Sequence, residues 1–202
     1  MVRKYNPMGN IEAFITPDDA EKIIDTANKD WHKLVFLMLT RTGRRISEVL
    51  ELKVKDIKWE SDSIKWHIKK KRNKDYTAII PQDKHTIEIL RKWRMGKQLD
   101  DDDFIFDSRN SKTGHYTRAG VNRLLKTIGK KLNMSEIGGE PIHPHHFRHG
   151  FAIHFVKTMD RPDQIFQLQK IMQHADIRET MWYLDHFGQT EMREMMDKMW
   201  RH

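Results

Sequence analysis

The chain has 202 residues, 38% of them hydrophobic, enough for one domain with a sizeable buried core. It contains no cysteine, which excludes disulfides, thiolate zinc sites and cysteine nucleophiles, and no apolar run approaches the ~20 residues of a membrane-spanning helix. Its 37 Lys and Arg against 29 Asp and Glu give a net charge of +8, which suits nucleic acid, an anionic surface or solubility alone.

The N-terminal MVRKYNPMGN has basic residues without an apolar core behind them, so it does not read as a signal peptide. Residues 1–10 are expected to be a tail and 11–202 one domain, in a cytoplasmic protein without a membrane partner. Thr16-Pro17-Asp18-Asp19 predicts a helix start: a hydroxyl cap, proline at the first helical position, acids in the first turn. That helix should reach about Asn28. A second, from Asp30 through Leu39, is apolar enough to be buried. A turn at Thr42-Gly43-Arg44-Arg45 leads to a short helix carrying Ile46, Val49 and Leu50.

From Leu52 the apolar period becomes two. Val54/Ile57, Ile64/Trp66/Ile68 and Ala78/Ile80 predict three strands, the last two forming a hairpin with a basic tip at 69–75. Six of the ten residues from Lys65 to Lys74 are Lys or Arg, whereas Asp100 to Asp103 form an acidic run expected to be a solvated loop, so the charge is polarised. Helices are expected from Thr86 to Trp93 and, after the apolar anchor Phe104-Ile105-Phe106, from the Thr117 cap through Leu132. A loop at Gly138-Gly139-Glu140-Pro141 follows, and helical patterns continue to the end. Residues 189–202 predict a sharply amphipathic helix, with Met192, Met195, Met196, Met199 and Trp200 on one face. The fold class is α+β, mostly α-helical, with a small three-stranded antiparallel sheet.

HPHHFRHG, residues 143–150, places four histidines in eight positions. His145 and His149 lie four apart and can share a helix face as metal ligands do, but no nearby carboxylate ligand is obvious and Arg148 would oppose a dication. Histidines packed at a helix start are the plain alternative. The third reading pairs His145 with Arg148 in the first turn, where the helix end adds free N–H groups, to make a phosphate site. Further basic residues and a nucleophile should then exist elsewhere. Thr42-Gly-Arg-Arg-Ile-Ser-Glu48 offers Arg45 at a helix entry, and Met172 to Tyr183 places His174 nine residues ahead of a tyrosine.

Taken together these segments resemble the tyrosine recombinase (phage-type integrase) family. The family's T-G-x-R-[IV]-S-E box is matched by residues 42–48, P-H-x-[LF]-R-H-x-[FA]-A by 144–152, and the histidine followed by an eight-residue gap and a tyrosine by His174 and Tyr183. The resemblance runs from about Ile11 onward and implies the family's catalytic-domain fold over 11–202, without its usual N-terminal core-binding domain.

The resemblance further implies site-specific cutting and rejoining of double-stranded DNA through a 3′-phosphotyrosine, with no metal, cofactor, ATP or small-molecule substrate. Tyr183 would be the nucleophile, Arg45 and Arg148 the phosphate clamp, His174 a further donor, and His145 the proton acceptor. The general acid would be a hairpin lysine: alternation counted back from Pro81 favours Lys71, then Lys69. Lys69, Lys70, Arg72, Lys74 and Arg44 would contact DNA, and Glu48 and His149 would support the site. A homotetramer on DNA is implied, as in an integrase or resolvase. A strand-relaxing topoisomerase and a non-catalytic DNA-binding relative are the rival readings. The chain departs from the family pattern at Gln173, usually glycine, and Arg44, commonly apolar.

Overall fold

The computed structural model describes residues 13–68, 76–108, 111–159 and 161–184. The expected tail, the hairpin tip at 69–75 and the amphipathic segment 189–202 therefore lie outside the described residues.

Helix α1 (Pro17–Thr26) starts as predicted: the Thr16 hydroxyl accepts from the Asp19 amide at 3.1 Å. Helix α2 (Asp30–Thr42) buries Leu34, Val35, Phe36, Met38 and Leu39. It stops at Gly43, whose φ of 60° is left-handed and whose amide donates to the Leu39 carbonyl at 3.3 Å. A Cβ at this position would stand 2.5 Å from the Phe151 ring, so space as well as backbone angle requires glycine. The chain enters α3 (Ile46–Leu50) directly afterwards.

The antiparallel sheet has the order β1-β2-β3, formed by Ile57–Lys58, Ser63–Ile68 and Tyr76–Pro81. Ile64, Trp66 and Ile68 point into the core, and Trp66 faces Ala78 across the pair. The first strand is shorter than the sequence suggests. Val54 belongs to a 3-10 turn, because the Val54 and Lys55 amides donate to the Asp103 and Asp101 carbonyls rather than to a strand. The acidic loop is thus tied in, with exposed ion pairs from Asp102 to Lys55 (2.5 Å) and Asp101 to Arg94 (2.9 Å).

Helix α4 (Lys84–Lys97) outruns the expected Thr86–Trp93 at both ends. Asp83 caps it by accepting from the Thr86 amide at 3.0 Å, and Gln98 ends it at φ 53°. Helix α5 (Arg118–Lys131) is capped by Thr117 as expected. The expected loop at 138–141 belongs to a tight hairpin, β4 (Glu136–Ile137) and β5 (Glu140–Pro141), turned by Gly138 and Gly139 at φ 58° and 77°.

Helix α6 (His145–Thr158) has buried residues on all sides and is the molecule's central rod; Phe147 stacks on Phe36 of α2 at 5.6 Å. A second apolar cluster joins its later turns to α7 (Ile165–Met172) and Tyr183, within helical residues 177–184. Among the described residues no helix is long and apolar enough to cross a membrane.

Candidate active site

Four histidines at one helix start are sorted by the helical period. His145 and His149 share a face, their rings edge to face at 4.6 Å. His143 and His146 turn instead toward Glu140, whose Oε2 is 3.8 Å from each Nε2.

Between these faces Arg148 is fully buried. Its Nη1 donates to the Gly43 carbonyl at 2.7 Å and its Nη2 to the Met172 carbonyl at 2.6 Å. One side chain therefore joins the end of α2, the first turn of α6 and the end of α7. Burial, then the charges of Arg45 and Arg44, lower its pKa to about 9, leaving it charged at neutral pH.

Arg45 comes from the entry of α3. Its Nη1 donates to Glu48 Oε1 at 2.9 Å, and the same carboxylate accepts from the Arg45 amide at 3.2 Å. Glu48 is buried while the Arg45 side chain stays 43% exposed, so the carboxylate aims a charge that solvent and ligand can still reach. Beside it lies a hollow of about 390 Å³ lined by Arg44, Arg45, Ser47, Arg118, Asn122 and His145.

Arg44 corrects an expectation. Instead of standing at the surface against DNA, it is buried, with its guanidinium 5.5 Å from the centre of the Trp66 ring and 3.8 Å from Glu48. None of its three side-chain nitrogens has a hydrogen-bond partner among the described residues. Trp66, turned inward by strand alternation, supplies a flat face for it.

Tyr183 is also buried, and its hydroxyl lies 2.8 Å from His149 Nδ1. The family resemblance implies His145 as the phenol's proton acceptor and a supporting place for His149, whereas here His149 holds the hydroxyl. Burial pushes the phenol's pKa above its ordinary value, against the pull of the Arg148 charge. His174 stacks on Tyr183 at 6.3 Å, and its Nδ1 lies 2.8 Å from the Thr180 hydroxyl. Its Nε2 is buried without a hydrogen-bond partner among the described residues. Burial, then Arg148, Arg45 and Arg44, hold its pKa down to about 3. His145 is held to about 3 as well, by desolvation in the hollow and then by His149, Arg148, His143 and Arg45.

The structure thus brings together Arg45, His145, Arg148, His149, His174 and Tyr183, with Glu48 beneath Arg45. Lys69, Lys70, Lys71, Arg72 and Lys74 lie outside the described residues. Gln173 takes the left-handed conformation, φ 54°, at the end of α7 despite its Cβ. Its Oε1 accepts from the Tyr76 hydroxyl at 2.6 Å, and its Nε2 donates to the Lys170 carbonyl. Nothing local in the sequence marks Thr180, Tyr76 or Glu140: a hydroxyl six residues past a histidine has no pattern, and Tyr76 meets Gln173 across 97 positions.

A net positive, partly enclosed site with a phenol, two neutral imidazoles and an accessible guanidinium suits a phosphodiester. The phage integrase family model matches residues 13–189. Tyrosine recombinase XerA of Pyrococcus furiosus is 32% identical over 172 residues, covering 84% of this chain and 56% of that protein. Tyrosine recombinase XerD of Listeria monocytogenes is 27% identical, covering 82% and 55%. The chain therefore spans little more than half the length of these curated relatives. Among solved structures, a XerA recombinase crystal structure superposes with a TM-score of 0.68 at 24% identity, covering 94% of this chain and 64% of that one. A XerH site-specific recombinase bound to its difH substrate before cleavage gives 0.65 at 21% identity, over 90% and 52%.

Proposed function

Since the chain belongs to the phage integrase family, we propose that it cuts and rejoins double-stranded DNA at a specific site through a covalent 3′-phosphotyrosine. The observation that carries this reading is the buried Tyr183 hydroxyl, held by His149 and packed against His174 within reach of the Arg148 charge. A phenol enclosed by cationic and imidazole groups is arranged for attack on an anion rather than for surface contact. The related recombinases bound to difH and to transposon-end DNA support the substrate class.

Tyr183 attacks phosphorus and its proton passes to the imidazole pair, His149 first because it touches the hydroxyl, with His145 at the hollow's mouth. Arg45 and Arg148 stabilise the charge gathering on the non-bridging oxygens, and His174 offers its Nε2 to one of them. The leaving 5′-oxygen takes a proton from a hairpin lysine, Lys71 by the strand count. The phosphotyrosine keeps the energy of the broken bond, so rejoining needs no ATP, and the guanidinium groups fill the place that a metal has in other phosphoryl-transfer sites. In the assembly we propose, four copies meet on DNA.

A nicked, end-labelled suicide duplex carrying the cognate site tests this. The chain forms a covalent protein–DNA adduct and Tyr183→Phe forms none, a fall of roughly 10⁴-fold or more. Binding without adduct by the unaltered chain leaves only a DNA-binding relative. Strand exchange between two labelled sites separates recombination from relaxation of a single strand.

A further inference from the structure

Glu140 and His146 have no place in the phosphodiester chemistry, and although His143 lines the edge of the hollow, the arrangement of the three is not explained by it. All three ligand-bearing groups lie within 4.8 Å of one another. Glu140 Oε2 is 3.8 Å from both His143 Nε2 and His146 Nε2, too far for a hydrogen bond to either ring. His146 is 1% exposed, and neither of its ring nitrogens has a hydrogen-bond partner among the described residues. A buried imidazole with nothing to bond is an uncommon expense in a folded chain.

We propose that these three side chains bind one divalent transition-metal ion of zinc's class. Ligand atoms about 2.0–2.1 Å from a tetrahedral zinc ion stand ~3.4 Å apart, so the carboxylate closes on each ring by about half an ångström and the widest pair of the set, within 4.8 Å, by up to about 1.4 Å. Two imidazoles and a carboxylate are the ligands such an ion prefers, with the fourth position left to water. The local fold builds the site. The Gly138-Gly139 turn brings Glu140 back over the start of α6, and the His146 amide donates to the His143 carbonyl at 3.1 Å. That single turn sets the two rings 3.8 Å apart, centre to centre. His146 supplies the fixed ligand, while Glu140 and His143, with side chains 43% and 40% exposed, can close on it.

Arg118 and Lys126 are near enough to His143 to disfavour positive charge there, so Glu140 has to offset them and affinity is moderate rather than extreme. The ion would also alter the neighbouring turn. His143 Nδ1 now accepts from the His145 amide at 3.2 Å. Once Nε2 holds a metal, the neutral ring carries its proton on Nδ1 and that bond is lost. Metal at this site therefore clips the β4–β5 hairpin to α6 and releases the backbone of His145, which faces the hollow.

The test needs no DNA and does not depend on the proposed reaction. The untagged full chain, stripped with a chelator, is titrated with Zn²⁺ by calorimetry and with Co²⁺ by visible absorption. One equivalent binds, and Glu140→Gln and His143→Gln each weaken binding by about tenfold or more, since even indirect partners of a ligand set cost that much. Both altered side chains are partly exposed, and unchanged circular dichroism and thermal midpoint establish that the variants fold. The His145 amide resonance shifts on adding Zn²⁺ to the unaltered chain and stays put in the double variant. Absence of binding overturns the proposal. So does equal binding by the Glu140→Gln, His143→Gln double variant, which would place the ion elsewhere.

Discussion

Two regions of the site each bury a guanidinium, and they hold it differently. On the α6–α7 side, Arg148 is anchored by the Gly43 and Met172 carbonyls at 2.7 and 2.6 Å. On the α3–β2 side, Arg44 is as deeply buried but, among the described residues, is held by the Trp66 face and the Glu48 carboxylate at 3.8 Å without a hydrogen bond. Burial lowers both pKa values, to about 9 and about 10, and both groups remain cations at pH 7. The first charge is fixed in place by hydrogen bonds whose removal would leave it stranded. The second is tolerated, and its field is available to an arriving anion. Anchoring gives geometry, and a cation held without hydrogen bonds gives potential at a cost in stability.

Arg148→Lys draws this distinction most strongly. It keeps the charge but replaces a planar fork by a single ammonium, which cannot serve both carbonyls in the same geometry. Denaturant unfolding should report a loss of about 2–4 kcal/mol, and single-turnover adduct formation should fall by roughly 10²–10³-fold. A lysine variant matching the unaltered chain in both would show that anchoring contributes nothing.

Arg44→Leu is expected to move stability the other way. An apolar side chain on Trp66 removes a buried charge without hydrogen bonds, which should raise stability by about 1–2 kcal/mol and the thermal midpoint by a few degrees. Adduct formation should slow by roughly tenfold as the field weakens. Destabilisation would mean that Arg44 has a compensating partner and that the two regions are alike.

The sequence made one of these regions legible and disguised the other. Arg148 sits in a motif whose helical spacing places it with His145, and a residue on both a buried face and a polar motif announces a site. Arg44 and Arg45 are chemically identical neighbours at a turn. Which of them goes inward depends on the Trp66 face across the chain and on the Glu48 carboxylate, and local spacing carries neither. The same limit applies to the sheet. Alternation marked Ile64, Trp66 and Ile68 correctly, but Val54 was drawn out of strand pairing by carbonyls in the 100–103 loop. The helix caps at Thr16 and Thr117 needed only adjacent residues and were readable outright.

Burial first, and then the guanidinium groups of Arg148, Arg45 and Arg44, depress the pKa of His174, so its ring reports the field of both regions together with Arg45. Its folded value, about 3, is below the unfolded value near 6.5, so the unfolded chain binds the extra proton. Stability contributed by the neutral ring is present above pH 6.5 and declines as pH falls toward 3. At pH 5.5 His174→Gln should recover about 1 kcal/mol relative to its effect at pH 8, read from paired denaturation curves. An effect independent of pH would show that the ring does not feel the field.

The smallest expected effect tests whether the two regions act as one. Tyr76, within electrostatic reach of Arg44, donates at 2.6 Å to Gln173, the residue after the Met172 carbonyl that anchors Arg148. That hydrogen bond joins the sheet side to the α7 side and also secures a glutamine in a left-handed conformation where family members usually carry glycine. Tyr76→Phe should cost about 0.5–1 kcal/mol, the ordinary net value of such a bond. Gln173→Gly loses the same bond but relieves the backbone, so its own cost should be closer to zero. In the double variant the part of the Tyr76→Phe cost that belongs to this bond should disappear, giving a coupling of about 0.5–1 kcal/mol in a double-mutant cycle. Strictly additive losses would mean that this contact carries no energy between the regions, and that Arg44 and Arg148 are held independently.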